Sequence, residues 1–209
     1  MRISNRLKTI ASLVDNDTTV IDIGCDHALL DIYLTNKNIK CIAVDINQNA
    51  LNIAIDNIEK YHLEDKIETI LSNGLENVKI PNNNTIVICG MGTKTIIDIL
   101  KDTKKLDNLI IQSNNELYDL RKYIVSKNFY IDSDIKIKDK GKFYNIIKFK
   151  KGNKKYSKYE YMYGIDYSNK EYINFEINKN NIILNNIPKK YFIKRYKLKK
   201  INKYLKNKL

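Results

Sequence analysis

Apolar runs alternate with helical patterns along the first two thirds of the chain. Five short runs rich in β-branched residues predict buried strands, at residues 19–23, 41–45, 67–71, 85–89 and 109–112. Helices are predicted between them, at residues 27–36, 47–60, 94–102 and 115–127, after a first helix that Ser4 would cap and that ends near residues 15–17. This alternation predicts an α/β fold with a mostly parallel sheet and helices on both faces.

Two further strands follow each other directly, at residues 129–137 and 143–149, with Gly141 at the turn between them. Seven strands that end in a hairpin-like pair resemble the Rossmann-like layout of class I methyltransferases, in which the last strand inserts antiparallel. We therefore expect residues 1–150 to form one domain of this type.

The composition changes after residue 150. Residues 153–163 are rich in Lys and Tyr and are predicted to be a linker, and residues 171–186 and 188–209 are predicted to be two helices that meet near Pro188. We expect residues 151–209 to form a small, basic, coiled-coil-like helical appendage.

The net charge of +13 is concentrated in this appendage. Residues 1–149 hold 20 Lys and Arg against 20 Asp and Glu, whereas residues 150–209 hold 17 against 4. AT-rich coding would explain the abundance of Lys, but not the balance of the first 149 residues. The asymmetry favours a polyanionic partner such as nucleic acid, with Lys190, Lys194 and Arg195 as candidate phosphate contacts.

Several features predict a cytoplasmic protein. The sequence has no apolar run of 18 residues, and its first residues have the spacing of an amphipathic helix rather than of a signal peptide. The three cysteines, Cys25, Cys41 and Cys89, are odd in number and lack CxxC spacing, so we expect buried free thiols and no metal site. A monomer is expected.

The first strand-to-helix turn argues against a dinucleotide. Of the pattern G-x-G-x-x-G, Gly24 alone is present, and Asp26 stands at the second glycine, where its carboxylate would repel a pyrophosphate. S-adenosyl-L-methionine carries no phosphate, and its cationic sulfonium and ammonium groups suit an acidic turn. The alternative is a structural turn in which Asp26 caps the helix.

Three later turns lie at the same predicted edge of the sheet. Asp45, followed by Ile46, ends the second strand and would accept hydrogen bonds from ribose hydroxyls. Asn73-Gly74 after the third strand is either a contact to the cofactor's adenine or a simple turn.

In Gly90-Met91-Gly92, after the fourth strand, the two glycines would let a ligand or a flat base approach the backbone. No Asn/Asp-Pro-Pro-aromatic loop occurs there, which disfavours methylation of exocyclic amines and leaves ring nitrogens open.

These residues resemble the bacterial tRNA (adenine-22-N1)-methyltransferase family. That family pairs an Asp-Ile-Gly-Ser/Thr-Asp-His-Ala turn, here residues 22–28, with a Gly-Met-Gly-Gly loop, here residues 90–93. Further matches are residues 4–7, 73–76, 112–114 and the motif Gly141-Lys142-x-Tyr144. The resemblance spans residues 3–150, with departures at Cys25, Asn73, Thr93 and Ser113.

The resemblance implies methyl transfer from S-adenosylmethionine to N1 of adenine 22 in the D-arm of tRNA. The candidate cofactor-binding residues are Asp22, Gly24, Cys25, Asp45, Ile46, Asn73, Gly74, Gly90 and Met91. The candidate catalytic residues are Asp26, which could instead bind the cofactor, His27, which could instead be a capping or packing residue, and Gly92. Arg6 as a phosphate contact and Tyr144 as a stacking wall complete the set, and both could equally be structural.

Other functions remain open from the residues alone. The same fold could methylate ribosomal RNA or a protein, or it could be a non-catalytic RNA-binding module. A nucleotide-dependent dehydrogenase is disfavoured by the missing glycines.

Overall fold

A computed structural model describes residues 3–101 and 105–209. Its seven strands form a single sheet in the order β3-β2-β1-β4-β5-β7-β6. The strands are β1 Thr19–Ile23, β2 Lys40–Asp45, β3 Ile67–Leu71, β4 Asn84–Met91, β5 Asn108–Ser113, β6 Phe129–Asp139 and β7 Lys142–Lys151. The first five are parallel, and β7 lies antiparallel between β5 and β6. The predicted Rossmann-like methyltransferase fold is confirmed.

The described residues contain eight helices. They are α1 Asn5–Ser12, α2 Leu29–Thr35, α3 Gln48–Lys60, α4 Thr93–Leu100, α5 Leu117–Ser126, α6 Lys158–Tyr163, α7 Lys170–Asn186 and α8 Phe192–Lys206. The last residue of the predicted helix 94–102 lies outside the described residues. None of the eight helices is long and apolar enough to cross a membrane.

Successive residues of the central strands pack on opposite faces of the sheet, because side chains alternate along a strand. Val20 joins a core cluster with Ile10 of α1 and Ile32 of α2, whereas Ile21 and Ile23 join a second cluster with α4 and α5. Both faces are therefore covered, which explains the continuously apolar character of these strands.

Two local predictions were wrong. Residues 153–163 are not wholly a linker, because α6 begins after Ser157, whose side chain accepts a hydrogen bond from the backbone of Glu160 while Glu160 caps Ser157 in return. This reciprocal cap is readable in the sequence as S-x-x-E. Gly90 and Met91 are not a loop either, since β4 continues to Met91 across an irregularity in its pairing with β5.

The last two helices form an antiparallel hairpin, here called the α7–α8 hairpin. Ile173 and Ile177 of α7 pack against Leu205 of α8, and the buried side chains of Asn180 and Asn202 share a hydrogen bond of 2.9 Å. The apolar side chains hold the two helices together, and the buried hydrogen-bonded pair fixes their alignment along each other.

Arg195 was expected to contact phosphate, and the structure gives it another role. Its Nη1 donates to the carbonyl oxygens of Leu184 and Ile187 at 2.5 and 2.6 Å. These carbonyls lie at the end of α7, where the last turn has no partners within the helix. Arg195 therefore closes the hairpin instead of facing solvent.

A buried ion cluster joins the C-terminal helices to the sheet. The Asp134 carboxylate on β6 lies 3.1 Å from Nη2 of Arg121 and 3.0 Å from Nζ of Lys136, and all three side chains are at most 1% exposed. Arg121 also donates to the carbonyl oxygens of Tyr161 and Met162 in α6. Two buried cations are thus held by one carboxylate and by the backbone of the appendage.

We expect Asp134→Ala to lower the free energy of unfolding by about 3–5 kcal/mol, because it leaves two buried cations without their counter-ion. Urea unfolding followed by circular dichroism measures this loss. The matched control is Lys151→Ala, which breaks the exposed Lys151–Asp107 pair of 2.9 Å and should cost less than about 1 kcal/mol. Equal losses in the two variants would contradict the assignment.

Candidate active site

A cavity of about 940 Å³ opens at the carboxyl ends of the parallel strands. It lies beside the point where the strand order reverses, between β1 and β4, which is where ligands bind in open α/β sheets. Its lining includes six of the predicted cofactor residues, namely Gly24, Asp45, Ile46, Asn73, Gly74 and Met91. The loops after β1 to β4 have thus been brought together as the sequence predicted.

The backbone of the Gly24 turn adopts a conformation that a side chain would strain. Gly24 has φ +78°, and a Cβ built on it would lie 2.6 Å from Cε of Met91. Its N–H donates to the carbonyl of Val44 at 2.8 Å, which ties the turn to β2. The floor of the cavity therefore consists of bare backbone beside Met91.

Asp26 does not cap the following helix. Asp26 and Ala28 both have φ +52°, and α2 begins only at Leu29, with Ala28 at its N-cap position and no side-chain cap. The structural alternative considered for Asp26 is therefore wrong, and its side chain is exposed to solvent, 3.5 Å from Nε2 of His27.

Asp45 organises the turn as well as lining the cavity. Its Oδ1 accepts a hydrogen bond from the N–H of Asn47 at 2.9 Å, and its Oδ2 accepts from the N–H of Asp26 at 3.3 Å. A single carboxylate therefore links the two loops that follow β1 and β2.

Two predicted cofactor residues lie behind the cavity rather than in its wall. The Cys25 side chain is 6% exposed and belongs to the core, where burial raises the pKa of its thiol. All three cysteines are free, as predicted, although Cys89 is partly exposed. Cys25 contributes its backbone to the turn, and its side chain does not reach a ligand.

Asp22 forms a buried carboxyl pair with Asp31 of α2. Burial raises the pKa of Asp22 to about 7, and burial together with the nearby Asp22 charge raises the pKa of Asp31 well above its usual range. Among the described residues no donor reaches either carboxylate oxygen of Asp31. Burial and the nearness of the two carboxyl groups therefore both favour the protonated form of this pair.

The loop after β3 forms a turn and also lines the larger cavity. Asn73 donates from Nδ2 to Oε1 of Glu76 at 2.7 Å, and Gly74 has φ +60°. A Cβ on Gly74 would lie 3.0 Å from the Ile99 side chain of α4. The two alternatives for Asn73-Gly74 are therefore compatible with each other.

The end of β4 is joined to the loop after β5. Asn114 donates from Nδ2 to the carbonyl of Gly90 at 2.6 Å, and Oδ1 of Asn115 accepts from the N–H of Thr93 at 2.9 Å. Gly92 is the N-cap of α4 and lies against Asn115. Thr93, a departure from the family pattern, is buried and bonds to the Ser113 hydroxyl at 2.9 Å.

Arg6 is engaged inside the protein. Its Nη1 donates to Oε1 of Gln112 at 2.9 Å, and its guanidinium lies 5.5 Å from the centre of the Tyr144 ring. This brings the two predicted residues together beside Gly90, as expected. It also means that Arg6 positions Gln112 and Tyr144, which does not fit a free phosphate contact.

The sequence prediction missed a second cavity, of about 690 Å³, between the start of α5, β7 and α7. Tyr144 and Gln112 border it, and its wall includes five further aromatic side chains: Tyr118, Phe143, Tyr163, Tyr172 and Phe175. The polar run 112–116 after a buried strand was a signal for it. The aromatic residues of α6 and α7 gave none, because their approach to the sheet depends on tertiary packing.

Comparison with known proteins covers most of the chain. The methyltransferase-domain family matches residues 3–147. The tRNA (adenine(22)-N(1))-methyltransferase of Bacillus subtilis is 30% identical over 160 residues, which make up 74% of this chain and 67% of that enzyme. The structure of M. capricolum TrmK with S-adenosylhomocysteine is 38% identical, covers 99% of both chains and has a TM-score of 0.86.

A different methyltransferase is similar over a smaller part. The ribosomal protein L11 methyltransferase of Staphylococcus haemolyticus is 34% identical over 134 residues, which make up 62% of this chain and 42% of that enzyme. The likeness that includes the C-terminal helices is therefore to TrmK.

The Asp22–Asp31 pair predicts an unusual pH dependence. In the absence of ligand, we expect the free energy of unfolding to fall between about pH 4 and pH 7, by up to about 1.4 kcal/mol per pH unit. In that window the folded protein keeps a proton, because the Asp22 pKa is raised to about 7, whereas the unfolded chain has lost it. Urea unfolding at a series of pH values measures the slope.

Asp31→Asn should flatten this part of the profile, because an amide replaces a buried carboxyl group whose pKa is raised. Asp56→Asn, on the exposed side of α3, is the matched control and should follow the wild type. A wild-type profile that rises through the window would overturn the raised pKa values of the pair.

Proposed function

This chain belongs to the methyltransferase family that includes the tRNA (adenine(22)-N(1))-methyltransferases, and we propose that it methylates N1 of adenine 22 in tRNA with S-adenosylmethionine. The observation that carries the proposal is the likeness to TrmK over 99% of both chains, C-terminal helices included. A protein-methylating function is less well supported, because that likeness covers 42% of the L11 methyltransferase.

The larger cavity fits S-adenosylmethionine. Gly24 leaves bare backbone in the wall of the cavity, at a φ of +78° that a side chain would strain, so a ligand can lie directly on the turn. The Asp45 carboxylate at the end of β2 would accept hydrogen bonds from the ribose, and Asn73, in the same cavity wall, would contact the adenine. When bound, the cofactor supplies an electrophilic methyl group attached to a sulfonium.

The reaction depends mainly on how the adenine N1 and the methyl group are positioned relative to each other. The N1 of neutral adenine has a free lone pair, so its attack on the methyl group needs no strong base, and orientation supplies much of the rate. N1 is used in base pairing, so the base must leave its helix and enter a pocket. The aromatic cavity that Tyr144 and Gln112 border adjoins the end of β4 and offers rings on which the base would stack.

Asp26 is our candidate for the charged group of the reaction. Methylation at N1 leaves a cationic ring, and a carboxylate near it stabilises the growing charge. The Asp26 side chain is exposed, its N–H donates to Asp45, which lines the cavity, and His27, which lies beside Asp26, would orient the base. Gly92, at the start of α4, leaves room for the base to approach the backbone.

The basic α7–α8 hairpin supplies the phosphate contacts, with Lys190 and Lys194 exposed at the beginning of α8. We retain the expectations that the protein acts in the cytoplasm and as a monomer, and that residues 1–150 and 151–209 are its two domains.

The proposed function is tested with two unmodified tRNA transcripts, one with adenine and one with guanine at position 22. We expect labelled methyl from S-adenosylmethionine to appear only in the adenine transcript, as 1-methyladenosine, because guanine N1 carries a proton and no free lone pair. Ribosomal RNA and L11 protein are the competing substrates in the same assay. Label in either of those but in neither transcript would overturn the proposal.

Measurements of turnover and of cofactor binding distinguish the roles of the Asp26 and Asp45 carboxylates. Asp26→Ala should lower turnover by about 100-fold with little change in cofactor affinity, because its charge acts on the reacting base. Asp45→Ala should weaken cofactor binding by about 10- to 100-fold, because it removes hydrogen bonds to a charged acceptor. Calorimetric binding of the cofactor and single-turnover rates measure the two effects.

Asp65→Ala, on the exposed loop before β3, is the matched control and should change neither quantity. If Asp26→Ala weakens cofactor binding as much as it lowers turnover, Asp26 is a cofactor ligand instead.

A further inference from the structure

Five large apolar side chains are exposed together at the distal end of the α7–α8 hairpin. Ile182, Tyr191, Phe192, Ile193 and Tyr196 are 62%, 53%, 71%, 58% and 67% exposed. We call this group the hairpin tip. Large aromatic side chains in water are costly unless something covers them in use, so the tip has the character of a binding surface.

The aromatic residues of the tip are arranged for a flat ligand. Phe192 and Tyr196 are four residues apart on α8, so their side chains lie one turn apart on one face of the helix. Arg195, bonded to the carbonyls of Leu184 and Ile187, fixes the beginning of α8 against the end of α7. The rings are therefore presented on a rigid support.

The charge around the tip selects the class of partner. From Ile177 to Leu209 the sequence holds 11 Lys and Arg and no Asp or Glu, and Lys190 lies 5.4 Å from the centre of the Tyr191 ring. A second copy of this chain would bring the same cations face to face. Nucleic acid satisfies both features, because its phosphates pair with lysines and its unpaired bases stack on aromatic rings.

The length of α7 sets how far the tip lies from the beginning of that helix. The beginning of α7 is held at the catalytic edge, where Asn169 donates to the carbonyl of Lys136 at 2.8 Å and Glu171 pairs with Lys138. Seventeen residues of helix then extend about 25 Å. The helix borders the aromatic cavity as far as Lys179, whereas no residue of the tip does.

We propose that the hairpin tip stacks on unpaired bases of a tRNA loop that lies outside the cavity proposed to take the methylated base. The proposal rests on the proposed function, since it takes tRNA as the ligand. Binding would then depend on the fold of the tRNA, because only an RNA with a loop at the right distance can contact the active site and the hairpin tip together.

The test is the affinity for tRNA over a range of salt concentrations. The stacking variant, Phe192→Ala with Tyr196→Ala, should bind about 10- to 100-fold more weakly, with the same salt slope as the wild type. The charge variant, Lys190→Gln with Lys194→Gln, should reduce the slope by about 1 to 2. Replacing both rings by Trp should restore the affinity, which a purely structural role would not allow.

The prediction that the tip contacts a separate loop of the tRNA is tested with a D-arm hairpin RNA that lacks the other loops. The stacking variant and the wild type should bind this RNA equally, whereas they differ on the full tRNA. Equal binding on the full tRNA, an equal loss on the D-arm hairpin, or wild-type dimers that the stacking variant abolishes in sedimentation would each overturn the proposal. Selective binding of the wild type, but not the stacking variant, to vesicles of acidic lipid in the presence of tRNA would also overturn it.

These outcomes are separate from those of the proposed function. At saturating tRNA the stacking variant should methylate at the wild-type rate, because the tip touches neither cofactor nor target base, while its KM for tRNA rises about 10- to 100-fold. A wild-type enzyme that binds tRNA but leaves adenine 22 unmethylated would refute the proposed function without affecting the binding comparison.

Discussion

The placement of the C-terminal helices depends on one buried carboxylate, that of Asp134. It neutralises Arg121 and Lys136 in a region closed to water, and Arg121 extends the contact to the backbone of α6. Gly164 passes so close to this carboxylate that a Cβ there would lie 1.8 Å from an Asp134 oxygen. A buried charge group of this kind adds little stability over an apolar one, but it tolerates few alternative arrangements. It therefore fixes the direction in which α7 leaves the sheet.

This fixed direction brings two chemically different halves to one substrate. The sheet domain is electrically balanced, and three of its acidic residues, Asp22, Asp26 and Asp45, lie at the carboxyl ends of β1 and β2 beside the Gly24 turn. The hairpin carries the positive charge. An acidic site repels the phosphates of tRNA and cannot itself attract the substrate. This conflict is removed when the basic hairpin attracts the tRNA and the sheet domain carries the reaction.

Packing demands shape the site as much as the chemistry does. Gly24 has φ +78°, which a side chain would strain, and burial raises the pKa values of Asp22 and Asp31. Arg6 illustrates the same point, since its guanidinium holds Gln112 and lies against Tyr144 at the edge of the aromatic cavity. Each of these residues acts on a ligand through the backbone or the neighbour that it positions.

The sequence by itself determined the α/β class, the seven strands, six of the residues that line the larger cavity and the concentration of charge in the tail. These features are local: strand runs, helical spacing and the turns that follow each strand depend on near neighbours along the chain. Only the tertiary structure showed that Cys25 faces the core, that Arg195 closes the hairpin and that the rings of α6 and α7 face the sheet. Those outcomes depend on contacts between residues far apart in sequence. Whether a side chain is buried depends on which other helices and strands pack against it.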